Sequence, residues 1–414
     1  LTKFYTFVFL AQIINLMNMK KLILLITLLV INIGFAQEHF SGINISRRVG
    51  LLNASFNPAE LTNMSNKYEI NVFNTSLNVS NNKVSFSDII NSDEDIEDLI
   101  FDGNEAANMR LDLLVNGPAF AMKYKKWAFG ISTNAVAKAN IIDVDVNLGD
   151  ALANSQINSI LGTTTVNSNY NQKINAATWG EIGLSLARDL FENDKYKFSA
   201  GTNIRLLFPS SFTNFAADKF NGTIINTPGN HTLTNTQANL NIAYSGPIAD
   251  GFTDADNFSD FFSSGINGYA VDLGINFKIK VADNPKDYKF NSGLAIKNIG
   301  SMTFKSDNNV SSNYNLNISN TQFLDLNQFE DVDNIKDIEQ ILIDNNNAGN
   351  INFNKLSSEK DFTIKLPTLF TAYADLKLAK RFYVSAYTQQ KLVDDSDNDF
   401  STTQNSITLT PRFS

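Results

Sequence analysis

The fold is decided by two stretches, GYAVDLGINFKIK at residues 268–280 and KYKFSAGTNIRLLF at residues 195–208. In the first, Asp272, Gly274, Asn276 and Lys278 alternate with Tyr269, Val271, Leu273, Ile275, Phe277 and Ile279. A period of two places the apolar side chains on one face of a β-strand. Both stretches exceed the roughly 5 to 6 residues of an average strand and suit the roughly 9 to 11 that cross a bilayer. They predict an all-β, transmembrane antiparallel β-barrel.

The composition is typical of such a barrel. Of the 414 residues, 18% are charged, against about 25% in ordinary soluble domains. Asn, Ser and Thr take the place of charged residues, and 32 residues are Phe. A barrel needs apolar side chains only on its lipid-facing side, so its mean hydropathy stays near neutral.

Several functional classes are excluded or disfavoured. A net charge of -9 disfavours nucleic acid as a partner, because phosphates are repelled by an acidic surface. The absence of cysteine excludes disulfides, thiolate metal sites and the lipid attachment of a lipoprotein. No nucleophile elbow, phosphate loop or metal-ligand spacing is present. We therefore expect no enzyme activity, no cofactor and no metal.

The N-terminal region predicts a secretory signal peptide over residues 19–36. Met19, Lys20 and Lys21 precede an apolar run at 22–35, and Ala36 offers a cleavage point. The run of about 14 residues is shorter than the roughly 20 that a membrane-spanning helix needs, which disfavours an anchor. Residues 1–18 are interpreted as an over-extended start.

Hairpins account for the remaining chain, residues 67–414. Short polar turns are predicted at 125–126, 191–195, 282–287 and 379–381, and longer polar connections at 141–176, 210–267, 305–360 and 392–402. Aromatic residues follow the short turns, as in the girdle at a membrane interface. Short periplasmic turns opposite long extracellular loops are the asymmetry of outer-membrane barrels.

About 10 strands are predicted before residue 414, of about 12 to 14 in a complete barrel, so the C-terminus is interpreted as truncated. The last strand covers 406–413, and the first covers 67–79. Small helices are predicted at 93–101 and 331–343, as caps over the barrel mouth.

Two groups of charged residues allow alternative interpretations. The acidic clusters at 93–95, 254–256 and 394–399 either bind calcium or form solvated loop tips, and the second is favoured because Phe400 stands where a calcium loop needs glycine. The inward positions Glu181, Arg205, Asp272 and Lys278 either line a water-filled lumen or pair with one another, and pairing is favoured.

A break in the barrel wall is predicted at Gly117 and Pro118. They interrupt an alternating run at 108–125. Proline removes a donor from the hydrogen-bond ladder and favours a bulge or kink.

The segment SFNPAEL at 55–61 lies between the predicted signal and the first strand. Pro58 keeps Asn57 extended and can open a helical turn over 59–64. Asn-Pro-Ala in this place resembles the long-chain fatty acid outer-membrane transporter family. LAIKNIGSMTF at 294–304 and LPTLFTAY at 366–373 are similar to an uncharacterised Bacteroidota branch of that superfamily.

The resemblance implies that residues 37–66 form a hatch-like plug, with Asn57, Pro58 and Ala59 as its core. It also implies that ligand passes from the outer leaflet through the barrel wall, and Gly117 and Pro118 are the candidates for the opening. The alternative for Asn57 to Ala59 is a periplasmic turn without a gating role. The chain departs from the family in its long acidic loops, which leaves the ligand open.

Two functions follow as expectations. The first is a barrel in the outer membrane of a Gram-negative bacterium, with membrane lipid as partner, that passes small hydrophobic molecules. The alternative is a structural or interaction barrel, with envelope or secretion proteins as partners and no transport role.

Overall fold

The structure is a computed structural model. It describes residues 39, 50–85, 88, 96–153, 162–250, 258, 260–282, 284–329, 332–394, 397–400 and 405–413. The predicted start and signal peptide at 1–36 lie outside the described residues. So do the acidic clusters at 93–95 and 254–256.

The described chain is all-β. Its strands are β1 (Tyr68–Asn71), β2 (Asn74–Asn81), β3 (Ala107–Tyr124), β4 (Trp127–Val144), β5 (Gly162–Asn167), β6 (Asn171–Glu192), β7 (Tyr196–Thr227), β8 (Asn230–Ser245), β9 (Gly268–Val281), β10 (Asn284–Phe304), β11 (Val310–Ile318), β12 (Leu324–Asp325), β13 (Asn352–Glu359), β14 (Phe362–Lys365), β15 (Leu369–Ala379), β16 (Phe382–Lys391) and β17 (Ser406–Phe413).

Helices are fewer and short. The α-helices are α1 (Gly50–Phe56), α2 (Ile96–Phe101), α3 (Val146–Ala153) and α4 (Ile335–Asn347), and the 3-10 helices are Pro58–Asn63, Pro247–Ala249, Asp260–Phe262 and Leu326–Phe329. α2 and α4 confirm the helices predicted in the connections. No helix among the described residues is both long enough and apolar enough to cross a membrane.

Ten strand positions form one antiparallel sheet that curls like half of a barrel. Their order is β1 with β2, then β3, β4, β6, β7, β9, β10, β15, β16 and β17. β1 and β2 share one position because both pair with β3. The predicted first strand, 67–79, is thus divided at residues 72–73.

Short turns lie at one end of this sheet, at residues 125–126, 193–195 and 380–381, and the turn at residue 282 lies there too. They confirm the four predicted hairpin turns. Lys125 and Arg381 have positive φ angles of 53° and 69°, which two-residue hairpin loops commonly require. β17 also coincides with the predicted last strand.

The predicted long loops are wrong for much of their length, because an extension rises from the opposite end of the sheet. β7 pairs with β9 over its first half and with β8 over its second. β8 then pairs with β11, which pairs with β13. We call β5, β8, β11 to β13, α3, α4 and residues 212–227 of β7 the extension.

The extension has a conventional apolar core, which explains why its polar-looking sequence folds. The core includes Phe220, Ile224, Leu233, Leu240, Ile242, Leu316, Ile335, Leu342 and Phe353. Tyr244 and Tyr314 both donate hydrogen bonds to the Glu339 carboxylate of α4. Burial and this adjacent carboxylate raise the pKa of both phenols, so they stay protonated as donors. α4 therefore belongs to a core and is not a loose cap.

In the ten-strand sheet the distribution of polar and apolar side chains is the reverse of that in the extension. On its concave inner face, polar side chains are buried, among them Asp189, Lys197, Asn276, Asn291 and Asp375. On its convex outer face, large apolar side chains are exposed, among them Phe120, Ile131, Leu184, Ile204, Tyr269, Leu273, Ile275, Leu294, Ile296 and Leu376. In water such a face would leave a large apolar patch uncovered.

Aromatic side chains gather on the outer face beside the short turns. Tyr124, Trp127 and Tyr196 are exposed there. The rings of Trp127 and Phe129 stack at 6.3 Å between centroids, and the Arg188 guanidinium lies 4.7 Å above the Trp127 ring. Aromatic and basic side chains therefore lie together beside the short turns, where the sequence predicted aromatic residues.

Candidate functional site

The candidate site is the concave face of the sheet and the chain folded against it. Residues 50–64, here called the inner segment, comprise α1 and the 3-10 helix Pro58–Asn63. Glu69 accepts hydrogen bonds from the amides of Gly50 and Leu51 at 2.9 and 3.1 Å, which satisfies donors at the start of α1. Asn57 is extended and caps the 3-10 helix, accepting a bond from the Ala59 amide at 3.0 Å.

Three glycines make room for the inner segment on neighbouring strands. Gly201 in β7, Gly274 in β9 and Gly293 in β10 each face it, and a Cβ at any of them would collide with Asn57 or Pro58. The Asn57 amide also donates to the Ile275 carbonyl at 2.8 Å. The glycines are required here by close approach, not by backbone conformation.

The structure thus places all three predicted hatch residues inside the concave face. Asn57, Pro58 and Ala59 are buried, and Ala59 is 0% exposed. A turn lying free of the sheet would not be covered in this way.

The Glu60 side chain accepts four hydrogen bonds. Its Oε1 accepts from the amides of Asn276 at 2.8 Å and Asn291 at 2.9 Å, and from the Tyr373 hydroxyl. Its Oε2 accepts from Asn63 at 2.8 Å. One carboxylate therefore joins the inner segment to β9, β10 and β15.

The far end of the inner segment is held by cations. The Thr62 carbonyl accepts hydrogen bonds from Lys123 and Lys197. Both ammonium groups also face Asp189, at 3.7 and 3.1 Å. The Thr62 hydroxyl donates to Ser199 at 3.0 Å, and Ser199 donates to Asp189 at 2.9 Å. Lysines on a last-turn carbonyl satisfy an acceptor that the helix itself leaves open.

Three of the four predicted lumen residues come together in a buried triad. Arg205 contacts Glu181 and Asp272, each at 3.0 Å. The Trp179 indole donates to Glu181 at 2.9 Å, and the backbone N–H of Asn298 donates to Asp272 at 2.7 Å. The charges pair with one another, which was the favoured alternative.

Lys278 lies apart from this triad. It is opposite Lys197 in the β7–β9 register, and its ammonium is 5.1 Å from the centre of the Tyr288 ring. It therefore faces the short-turn end of the concave side.

The predicted wall break lies on a bulge. The β3–β4 ladder shifts register between Asn116 and Ala119, where Gly117 and Pro118 stand opposite Thr133 alone. Thr133 donates to the Pro118 carbonyl at 3.0 Å. On its other side, β3 faces the gap at 72–73 between β1 and β2. The hydrogen-bond ladders of β3 are thus interrupted on both of its sides at Gly117 and Pro118.

A cavity of about 390 Å³ lies between the inner segment and the triad. Its apolar lining includes Leu51, Leu52, Phe56, Leu114, Val136, Leu366 and Leu369, and its polar lining includes Asn71, Asn74, Asn116, Asn134, Asn203, Asn298, Ser132 and Ser185. Asn71, Asn116 and Ala119 also flank the bulge, so the cavity reaches the interrupted part of the wall. Its volume is within the lower range of small-molecule sites.

Residues 397–400, here called the roof segment, lie behind part of the cavity lining, because Phe400 shares an apolar cluster with the lining residues Val136, Trp179 and Leu366. Phe400 is 1% exposed and packs edge-on against Trp179 at 6.0 Å. Buried Lys173 donates to the carbonyls of Asp397 and Asp399. Asp394 and Asp397 of the acidic cluster at 394–399 are exposed, as expected of a solvated loop tip, and Lys173 holds the backbone of this segment through its carbonyls.

A second buried network joins the last strands. Asp375 in β15 is 0% exposed and accepts hydrogen bonds from Tyr288, Ser385 and Arg412. The Arg412 guanidinium also donates to the Tyr288 hydroxyl at 2.9 Å. β10, β15, β16 and β17 are thereby connected through one carboxylate.

Sequence reasoning missed Glu60, Tyr373, Asp189 and Asp375. The sequence could have shown that Asn276 belongs to the inner face, because it alternates with apolar residues in the stretch 268–280. Glu60 and Tyr373 are 313 positions apart, and no local pattern connects them. Within the described ranges, no group of three or more His, Asp or Glu residues is placed to hold a metal ion.

Comparison with known proteins identifies one match over most of the chain. The model of a family described as a family of unknown function (DUF5723) matches residues 58–414. No curated protein matches. The match begins at Pro58, so it includes the whole 3-10 helix Pro58–Asn63 and the whole described sheet.

Proposed function

This chain belongs to DUF5723, a family of unknown function, and we propose that it is an outer-membrane β-barrel protein through which small hydrophobic molecules pass. The observation that carries the proposal is the reversed polarity of the ten-strand sheet around an internal cavity. The finer parts of the proposal are a closed barrel, an inner segment that acts as a hatch, and export by the signal peptide at 19–36.

The membrane location is supported by what the convex face would meet in each environment. Leu273 is 50% exposed and Ile275 is 41% exposed on adjacent outward positions of β9. In a bilayer these side chains contact acyl chains, while the backbone is satisfied by the sheet. The aromatic side chains near the short turns then lie at the periplasmic interface.

Passage is supported by the position of the cavity. It lies between the inner segment, the triad and the bulge at Gly117 and Pro118, and the roof segment packs behind its lining residue Trp179. The interrupted ladder offers the weakest part of the wall. The inner segment closes the remaining side, so its release would complete a path.

One observation favours a second candidate, a structural or interaction barrel. The extension has its own apolar core. β13 pairs with β11 and forms the edge of the extension, and the last six of its eight residues, ending at Glu359, are all exposed. An exposed strand edge can pair with another chain. In this candidate the cavity has no transport role.

The membrane location is tested by comparing two exposed leucines. Leu273→Lys on the convex face would cost about 2 to 4 kcal/mol of folding free energy if that face meets the bilayer. Leu356, 65% exposed on β13 of the extension, supplies the control Leu356→Lys, which we expect to be near neutral. The readout is urea unfolding in phospholipid vesicles, with the heat-dependent gel shift as a marker of folding. Equal effects of the two substitutions would contradict the membrane location.

Passage is tested with protein reconstituted in vesicles. We expect the protein to accelerate transfer of the hydrophobic dye N-phenylnaphthylamine, and Asn57→Ala, which removes the bonds to Ala59 and Ile275, to change the rate further. A transfer rate equal to that of protein-free vesicles would refute passage and leave the structural candidate.

A further inference from the structure

The carboxylates that line the cavity are all engaged. Glu69 accepts from the first amides of α1. Asp112 contacts Lys138 and lies 3.2 Å from His39, while Glu181 and Asp272 share Arg205. None of these groups is left as a bare charge facing the cavity.

The cationic groups of the lining are engaged as well. Lys138 contacts Asp112, and Arg205 lies between its two carboxylates. Lys297 lies 5.3 Å from the centre of the Phe56 ring, within the range of a cation–π contact. An anionic ligand that recruited Arg205 would leave Glu181 and Asp272 uncompensated in a buried place, which is strongly unfavourable.

The amides of the lining behave differently. Asn116 donates to Asn74 at 2.6 Å, Asn74 donates to Asn71 at 2.8 Å, and Asn71 donates to the Gly117 carbonyl at 2.9 Å. This chain of amides, with Asn134, is here called the asparagine track. Asn134 donates to Glu181 at 3.3 Å. A primary amide has two N–H donors and an acceptor oxygen, so these contacts use only part of the track's capacity.

Apolar side chains stand next to the track. In the β3–β4 register, Leu114 is opposite Val136, and the next inward pair is Asn116 opposite Asn134. Leu51 and Leu52 of the inner segment face the same cavity. One end of a ligand would therefore meet hydrocarbon, and the adjacent end would meet neutral hydrogen-bonding groups.

We propose that the cavity binds amphiphiles whose headgroup is uncharged and rich in hydroxyl or amide groups, in preference to free carboxylates. The headgroup lies on the asparagine track, and the start of the alkyl chain lies between Leu114, Val136 and the inner segment. This inference rests on the proposed passage of small hydrophobic molecules and names their class.

The test is calorimetric titration of the full chain in lipid nanodiscs with three probes below their micellar concentrations. The probes are octyl glucoside, decanoate and decyltrimethylammonium, and empty nanodiscs supply the partition background. We expect saturable binding of the glucoside above that background and no saturable binding of either ion. Asn116→Ala with Asn134→Ala should weaken glucoside binding about tenfold, the size expected for one or two neutral hydrogen bonds.

A matched control is Asn317→Ala, at an exposed asparagine of β11 in the extension, which should leave glucoside binding unchanged. Saturable decanoate binding that is lost in Lys297→Met would overturn the headgroup inference while leaving passage intact. Glucoside binding that is insensitive to the double substitution would overturn it as well. Failure of all three probes to bind would count against passage itself.

Discussion

Glu60 is the residue whose replacement should release the inner segment most clearly. Glu60→Ala would remove the acceptor of Asn276, Asn291 and Tyr373 at once, and the bond from Asn63. A buried donor without a partner costs about 1 to 3 kcal/mol. Water that enters the gap would satisfy some of these donors, and the carboxylate would no longer pay for its burial. We therefore expect the docking of the inner segment on the sheet to weaken by about 3 kcal/mol in total. That corresponds to a roughly hundredfold larger fraction of molecules in which the inner segment has left the sheet.

The assay uses the natural absence of cysteine from the chain. Leu61 is 0% exposed, so a thiol at Leu61→Cys reacts with a maleimide only when the inner segment leaves the sheet. Where docking is faster than labelling, the labelling rate is proportional to the released population. We expect Glu60→Ala, in the Leu61→Cys background, to raise that rate by roughly a hundredfold.

Two control substitutions separate loss of the carboxylate acceptor from a general effect of substitution in the inner segment. Glu60→Gln keeps the shape and one acceptor oxygen, so its rate should stay within about tenfold of the background. Ser55→Ala changes an exposed residue of the same segment, which bonds only to the Leu52 carbonyl at 2.7 Å, and should have no effect. A Glu60→Ala rate equal to the background rate would refute the role of this carboxylate in docking.

Three further predictions concern the triad, the glycines and the roof segment. Arg205→Met should lower the free energy of unfolding in vesicles by about 3 to 5 kcal/mol, because two buried carboxylates lose their cation; an unchanged urea midpoint would contradict this. Gly274→Ala should raise thiol labelling at Leu61→Cys about tenfold through collision with the inner segment, whereas Gly130→Ala, which has space for a methyl group, should not. Lys173→Met should speed amide hydrogen exchange in the roof segment, and unaltered exchange would show that other contacts hold it.

The four short turns and most long strands could be predicted because their causes are local. In β9, alternation of Leu273 and Ile275 with Gly274 and Asn276 needs only the two-residue period of a strand. The extension was missed although Leu233, Leu240 and Ile242 form its core. Abundant Asn and Thr between them were interpreted as loop signals, and only the pairing of β8 with β7 and β11 overrides that tendency.

The candidate site could be predicted in parts. Asn57, Pro58 and Ala59 were found from a short motif, and Arg205, Glu181 and Asp272 from their inward positions. Their partners could not be found, because Asn57 meets the Ile275 carbonyl 218 positions away and Glu60 meets Tyr373 313 positions away. Such pairs depend on the register of several strands together.

The sequence by itself determined which side chains share a face of each strand, since alternation is a property of the extended backbone. The tertiary structure decided which face became the interior. The curl of the ten-strand sheet turned the polar face inward, and the glycines on β7, β9 and β10 let the inner segment reach it. Long alternating strands had indicated a barrel wall; the way its interior is filled depends on contacts between residues far apart in the chain, which only folding brings together.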